Sequence, residues 1–331
     1  MRKKIVNINY LLDKKILLIA PKFYNYHSAI IQTMQHEGTH VTFFPEMHYS
    51  FIYRFISNIS GCFKRKLEKK YLDTILKSVS ENEYDLFFLI RGGIVTPDFL
   101  HTLKLKLPHA SFLMYQWDSI LQNNYASKVS CFDRVQTFDM VDAKALGLEY
   151  LPLFYTDEYA STEKGKKKYD LVFFGSWHSD RLEIIKYFYN EFKKRGLSFK
   201  FHLYITKLAM FRALLLGKIT FKDLFYLKTN MVGAEEITNA YNSSTAVLDI
   251  ELAIQNGLTI RTFEVLGSKT KLVTTNNNIK DEKFYNPNNI MVIDRKNLKI
   301  DFDFFQLPMD EYDFLEYHIS RWLHKILIKN N

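Results

Sequence analysis

Arg261 and Glu264 stand three residues apart in the run TIRTFEVLG, residues 259–267, where the apolar Ile260, Phe263 and Leu266 recur at helical spacing. A guanidinium and a carboxylate on the first turns of one helix can address an anionic, hydroxyl-bearing ligand. Arg261 would reach phosphate while Glu264 accepts hydrogen bonds from a ribose. The same spacing also suits a surface ion pair, which contributes little. Thr259 is placed to cap this helix and Gly267 to end it, and residues 271–275, KLVTT, have the β-branched content of a buried parallel strand.

Four other places carry residues fit for chemistry. Gly175, Ser176 and Trp177 follow an apolar run and precede a helical pattern, so their N–H groups would cradle a diphosphate, assisted by Arg181, or would simply make a turn. Arg91, Gly92 and Gly93 follow another apolar run, where glycine lets backbone approach a ligand closely or fold into a tight turn. Trp117 and Asp118 end a further run. Asp118 can act as a general base, bind a sugar hydroxyl beside a stacking Trp117, or cap a following helix. His27 lies in the loop after the first apolar run, and an imidazole with a pKa near neutral suits proton abstraction from a hydroxyl, against a surface or structural role. Asp301 and Asp303 follow lysine-rich sequence and read as a solvated turn, and no D-x-D stands at a strand end.

Such residues need strand ends to hold them, and the sequence supplies these. Apolar runs at 15–20, 40–45, 85–90, 110–117, 134–138 and 149–154 read as strands of one half, separated by helical patterns such as the one that Thr96 caps with Pro97 at its first position. After a polar, aperiodic stretch at 155–169 the alternation restarts, with strands at 169–174, 199–205, 246–250, 271–275 and 289–294. Leu182, Ile185, Tyr189 and Phe192 mark the core face of one helix, and Tyr312, Leu315, Ile319, Trp322 and Ile326 that of an amphipathic C-terminal helix. Strands alternating with helices make the fold class α/β, of the doubly wound kind. In such sheets ligands sit beyond the carboxyl ends of the strands.

With 331 residues the chain can hold two cores, and 47% hydrophobic content argues against disorder. Two cysteines, Cys62 and Cys131, lack metal-type spacing and indicate a reducing compartment. The formal charge of +9 suits nucleic acid, anionic lipid or a phosphorylated small molecule. The basic residues are dispersed and no nucleic-acid motif occurs, so no nucleic-acid partner is expected. Asp13, Lys14 and Lys15 interrupt the N-terminal apolar stretch, which makes a poor signal peptide, and no run is long enough for a transmembrane helix. Two stretches, 49–71 and 207–228, mix aromatic and aliphatic residues with lysine and arginine, as an interfacial helix does or as a domain helix with a solvated basic face does.

The run from Arg261 to Gly267, with the strand after it, resembles the arginine-glutamate element in the C-terminal half of group 1 glycosyltransferases, especially those akin to the spore maturation protein family. The resemblance spans residues 241–275. It departs from the commonest form, which has alanine before the turn and glycine, often followed by proline, after it; here Leu266, Gly267, Ser268 and Lys269 stand instead. The resemblance implies a GT-B architecture of two facing Rossmann-like domains with the active site in the cleft between them: an acceptor domain at 1–155, a linker at 156–168, a nucleotide-sugar donor domain at 169–308, and a C-terminal helix at 309–331 packing back on the first domain. It implies a metal-independent transferase, with a nucleotide sugar as substrate and no cofactor. The acceptor would be a bacterial surface glycan, such as capsule or O-antigen, often lipid-linked, and the setting the cytoplasm or the inner face of an anionic membrane. Thr259, Arg261, Glu264, Gly175, Ser176, Trp177 and Arg181 would hold the donor, Arg91, Gly92, Gly93 and Trp117 would bind substrate, and Asp118 or His27 would be the base. The rival is a non-catalytic GT-B-like scaffold of a polysaccharide-synthesis complex.

Overall fold

The computed structural model describes residues 11–47, 61–160, 165–178 and 180–328. The chain divides into two compact units, one taking residues up to Pro152 together with those from Ile319 onward, the other Leu153–His318.

In the first unit β1 (Lys15–Ala20), β2 (His40–Pro45), β3 (Leu86–Ile90), β4 (Ser111–Gln116), β5 (Arg134–Thr137) and β6 (Glu149–Tyr150) form one parallel sheet in the order β2-β1-β3-β4-β5-β6. Helices cover a parallel sheet on both faces, so every residue of β3 is buried and the strand reads LFFLI without alternation. The helices are α1 (Tyr26–His36), α2 (Gly61–Ser78), α3 (Pro97–Lys106) and α4 (Met140–Leu146). Thr96 caps α3 by accepting from the Phe99 N–H at 3.3 Å, with Pro97 where a missing N–H costs nothing. Of the basic stretch at 49–71, α2 holds the part from Gly61 on, and residues 49–60 lie outside the described residues.

The second unit repeats the plan with β7 (Tyr169–Ser176), β8 (Phe199–Tyr204), β9 (Leu227–Lys228), β10 (Ser244–Asp249), β11 (Lys271–Thr274) and β12 (Ile290–Val292), ordered β9-β8-β7-β10-β11-β12 and all parallel. Between them run α5 (Arg181–Lys194), α6 (Lys207–Leu215), α7 (Ala234–Asn242) and α8 (Ile260–Gly267). On α5, Leu182, Ile185 and Phe192 are buried as their spacing predicts. Phe188 takes the fourth core place, while Tyr189 packs edge-on against Phe201 and Phe225. Gly267 closes α8 for a reason the sequence conceals: the left-handed residue is Lys269, whereas a Cβ on Gly267 would stand 2.5 Å from the ring of Tyr155.

Two boundaries differ from the sequence reading. Residues 156–160 are folded into the second unit, where Asp157–Tyr159 form a 3-10 turn and Tyr159 is buried. The amphipathic pattern from Tyr312 to Ile326 is also not one helix. Tyr312 donates to the Leu266 carbonyl at 2.6 Å, Phe314 and Tyr317 pack on Phe263 of α8, and extended backbone at His318 ends that segment. The helix is α9 (Ile319–Leu327), which belongs to the first unit, packs on α1 and β4, and sets Trp322 edge-on to Tyr115 at 4.7 Å. Arg134 donates to the carbonyls of Lys325, Ile326 and Ile328, placing a cation at the negative end of α9.

Each sheet has one switch point, where the chain reverses its direction of travel across the strands: between β1 and β3 in the first unit and between β7 and β10 in the second. The carboxyl ends flanking these points are where side chains from separate connections converge.

Candidate functional site

At the switch point of the second unit the last residue of β10, Asp249, is 1% exposed and anchors the start of α8. Its carboxylate accepts from the hydroxyls of Thr259 and Thr262 and from Arg261 Nη1 at 3.2 Å. Thr259 therefore does not cap α8 with its side chain, because its hydroxyl is committed to Asp249. Arg261 also bonds Tyr241 and lies in the field of Glu264, and together Tyr241, Asp249 and Glu264 overcome burial and raise its pKa. Its side chain keeps 22% exposure, whereas Glu264 is 4% exposed. The Arg261 Nε donor is buried without a hydrogen-bond partner.

Arg181, the first residue of α5, spans the crevice itself. It donates through Nε and Nη2 to the Ile250 carbonyl beyond β10 and through Nη1 to the Ser176 carbonyl at the end of β7. Gly175 and Ser176 are the last residues of β7 rather than a separate turn, and Trp177 follows them. A Cβ on Gly175 would meet the Phe173 ring at 2.7 Å and Arg181 Nη1 at 3.1 Å, so glycine is what lets the guanidinium lie against the strand.

A third arginine went unnoticed in the sequence. Arg295, just beyond β12, reaches Asp180 at 2.9 Å, Glu251 Oε1 at 3.2 Å and Thr275 Oγ1 at 3.2 Å, and also donates to the Glu251 carbonyl. Thr275 in turn donates to Glu251 Oε2 at 2.6 Å. Three guanidiniums thus meet at the carboxyl ends of β7, β10 and β12. Four carboxylates, Asp180, Asp249, Glu251 and Glu264, answer them, so the crevice is a dense charge network. Within it burial and then Arg261 push the Arg181 pKa down to about 10, and burial first, then the potential of Arg181 and Arg295, push His178 down to about 4.

His178 offers a direct test of this potential. Its folded pKa lies below its ordinary value of 6.5. Between about pH 6.5 and about pH 4 the unfolded chain therefore binds a proton that the folded chain refuses, and stability falls as pH falls through that window. A dianion seated beside Arg181 and Arg295 would reverse the penalty. We expect the imidazole resonances of His178 to titrate near 4 in the free protein and upward by a unit or more with a nucleoside diphosphate bound, and nucleotide affinity to rise from pH 7 to pH 5. An imidazole that titrates unchanged would place the anion elsewhere.

In the first unit, Arg91 directly follows β3 with left-handed φ of 65°, as does Gly92. The turn is locked: the Arg91 carbonyl accepts from Gln116 at 2.9 Å and Asn123 at 3.0 Å, the Gly92 carbonyl from buried Lys128 at 2.6 Å, and the Gly93 N–H donates to Glu46 at 3.1 Å. The Arg91 guanidinium lies between two carboxylates, Glu46 beyond β2 and Asp118 beyond β4. Glu46 and Lys128 were not singled out in the sequence, because their role appears only when β2, β3 and the 3-10 turn at Ala126–Cys131 come together. Trp117 is the residue after β4, adjacent to Asp118. Asp118 caps no helix; it accepts from Arg91.

His27 departs from its expected place: it is the second residue of α1, not of the preceding loop. Its ring centroid is 5.5 Å from that of Phe43, its Nδ1 is buried without a partner, and burial and then Lys22 lower its pKa, so the imidazole is neutral.

A cavity of about 810 Å³ opens at the amino ends of β7, β8 and β10, among Lys168, Lys200, Glu235, Glu236 and Asn239. It lies at the opposite pole of the sheet, and its lysines face its own glutamates, with Lys200 at 3.2 Å from Glu236. The strand ends at the switch point, where three guanidiniums from separate connections meet, are the better candidate site. Among the described residues no three His, Cys, Asp or Glu side chains are grouped as metal ligands would be, and Asp301 and Asp303 share a surface turn.

Two doubly wound units on one chain define the GT-B fold. No protein-family model matches the sequence, and no curated protein matches it. Solved structures do. The chain is similar to the lipopolysaccharide outer core galactosyltransferase WaaB in its apo form, with 12% identity, 94% of this chain and 95% of that one covered, and a TM-score of 0.52. It is similar to HepE of Anabaena in complex with UDP and glucose, with 10% identity, 85% of each chain covered and a TM-score of 0.53. It is equally similar to the UDP-GlcNAc 2-epimerase of Methanocaldococcus jannaschii, with 10% identity, 95% and 99% covered and a TM-score of 0.53. At such identities the likeness is one of fold.

Proposed function

We propose that this protein is a glycosyltransferase that takes a sugar from a nucleotide-sugar donor bound at the switch point of the second unit. The observation that carries the reading is geometric: Arg181, Arg261 and Arg295, from three separate connections, converge on the strand ends at the switch point. A diphosphate would take up donors of guanidiniums that the carboxylates of this crevice already hold in place. Arg261, whose side chain keeps 22% exposure, is the group to meet the phosphates, beside the strand end of Gly175, Ser176 and Trp177. Glu264, one turn further along α8, is the group for the ribose. The arginines, not a metal ion, would neutralise the departing diphosphate, and the nucleotide sugar is consumed as substrate with no cofactor.

The acceptor, a glycan that the resemblance suggests is lipid-linked and built on the cytoplasmic side, falls to the first unit, with Arg91, Gly92, Gly93 and Trp117 as contacts. Asp118 or His27 would remove the proton from its hydroxyl. A second reading is favoured by one finding, that an epimerase of nucleotide sugars shares the fold to the same degree. Incubation with a panel of nucleotide sugars and glycan acceptors, followed by NMR, separates the two. A transferase releases nucleoside diphosphate and forms a new glycosidic signal, an epimerase changes the sugar with the nucleotide retained, and neither change with any donor leaves the scaffold.

A further inference from the structure

Six of the 17 large apolar side chains that are exposed among the described residues fall within residues 208–225. They are Leu208 at 60%, Phe211 at 59%, Leu215 at 71%, Leu216 at 69%, Phe221 at 82% and Phe225 at 54%. This clustering is organised by the helix. α6 faces the core of the second unit with Ala209, Met210, Ala213 and Leu214, so the positions left outward are Leu208, Phe211, Arg212 and Leu215, spaced three and four apart on one face. A helix on a solvated domain surface carries polar residues there; α6 carries an apolar stripe. The turn after it continues the pattern, with Ile219 buried as its anchor and Phe221 and Phe225 outward.

Within the segment itself all the charge but one paired acid is positive, and Glu183 of α5, which stands at its edge, is engaged by Lys186 at 2.9 Å. Lys207, Arg212, Lys218, Lys222 and Lys228 occur between 206 and 230 with a single acid, Asp223. Asp223 is 6% exposed, pairs with Lys186 at 2.6 Å and accepts from the Thr220 N–H and hydroxyl, so it offers no negative charge to a partner. A second copy of this chain is a poor occupant, because a symmetric contact would set five cations against five. An anionic bilayer complements both features, with acyl chains for the stripe and headgroup charge for its basic rim.

We propose that the outward face of α6 and the turn that follows it seats the second unit on an anionic lipid bilayer, with Leu208, Phe211, Leu215 and Phe221 entering the interface and Lys218 and Lys222 on headgroups. The segment leaves the sheet at the carboxyl end of β8 and returns at β9, so within this unit it lies at the same pole as the nucleotide site. The assignment stands independently of what that site binds.

Sedimentation of the full chain with phosphatidylcholine vesicles containing increasing phosphatidylglycerol tests it. Binding is expected to rise with phosphatidylglycerol and to fall with salt. Phe211→Ser with Phe221→Ser should abolish most of it at an unchanged melting temperature, since both side chains are exposed. Lys218→Ala with Lys222→Ala should weaken it about 30-fold, at roughly one interfacial charge's worth per lysine. Wild-type binding in either double variant, equal binding to neutral vesicles, no binding to anionic ones, or salt-sensitive capture of an acidic protein with none of lipid would each overturn the proposal.

Discussion

Asp249→Ala is expected to lower the unfolding free energy of the second unit by about 3 kcal/mol, because it leaves the Arg261 guanidinium and two threonine hydroxyls without their shared acceptor at a site that water barely reaches. Asp249→Asn should cost less, since one oxygen still accepts from a hydroxyl. Chemical denaturation with an unchanged dependence on denaturant separates a true loss of stability from a change in the unfolded chain. The nucleotide site should weaken in both variants, as the first turn of α8 is held to β10 through this carboxylate. An Asp249→Ala protein as stable as the wild type would mean that α8 is fixed by its apolar side alone, through Phe263, Val265 and Leu266.

The second large effect is on turnover. Asp118→Asn keeps the size of the side chain and an oxygen to accept from Arg91, and removes only the charge and the basic carboxylate. If Asp118 is the base, kcat should fall about 100-fold or more while donor affinity stays the same. The structure sets a condition on this role: Asp118 shares Arg91 with Glu46, so its carboxylate abstracts a proton only while also holding a guanidinium. His27 is the rival, neutral and with one ring nitrogen unpartnered. A large loss in His27→Ala together with an active Asp118→Asn would transfer the assignment to the imidazole. Full activity in both would place proton transfer elsewhere.

How far the sequence reaches is visible in these same residues. The strands were legible because burial on both faces leaves uninterrupted apolar runs, as in LFFLI of β3, and Thr96 with Pro97 marked its helix start by local chemistry alone. Arg261 and Glu264 share α8 as their spacing predicts, but the ion pair of Arg261 is with Asp249, which spacing on one helix does not show. Asp249 stands inside an apolar run and reads as strand, and Arg295 carries no local signal in the sequence. What distinguishes Arg295 is Asp180, 115 residues away, and what distinguishes Glu46 is Arg91, 45 residues away. The C-terminal pattern misled for a related reason. Tyr312 and Leu315 stand at helical spacing with Ile319, Trp322 and Ile326, but Tyr312 answers to Leu266 in the second unit and Leu315 is 49% exposed, while the later residues answer to Tyr115 and α1 in the first. Periodicity marks an apolar stripe, not whether every member of it is buried or against what. His27 shows the smallest error, a helix that begins at Tyr26, two residues earlier than the loop reading of His27 allows.

The most direct measurement is calorimetric titration of nucleoside diphosphates and nucleotide sugars into the wild type, Arg261→Ala and Glu264→Ala, with the fold of each checked by its melting curve. One nucleotide should bind the wild type, and each variant should lose about 1.5 to 3 kcal/mol of binding free energy, as the removal of a charge-assisted hydrogen bond entails. Wild-type affinity in both variants, or no nucleotide bound by the wild type at millimolar concentration, would contradict the placing of a nucleotide sugar at the switch point of the second unit.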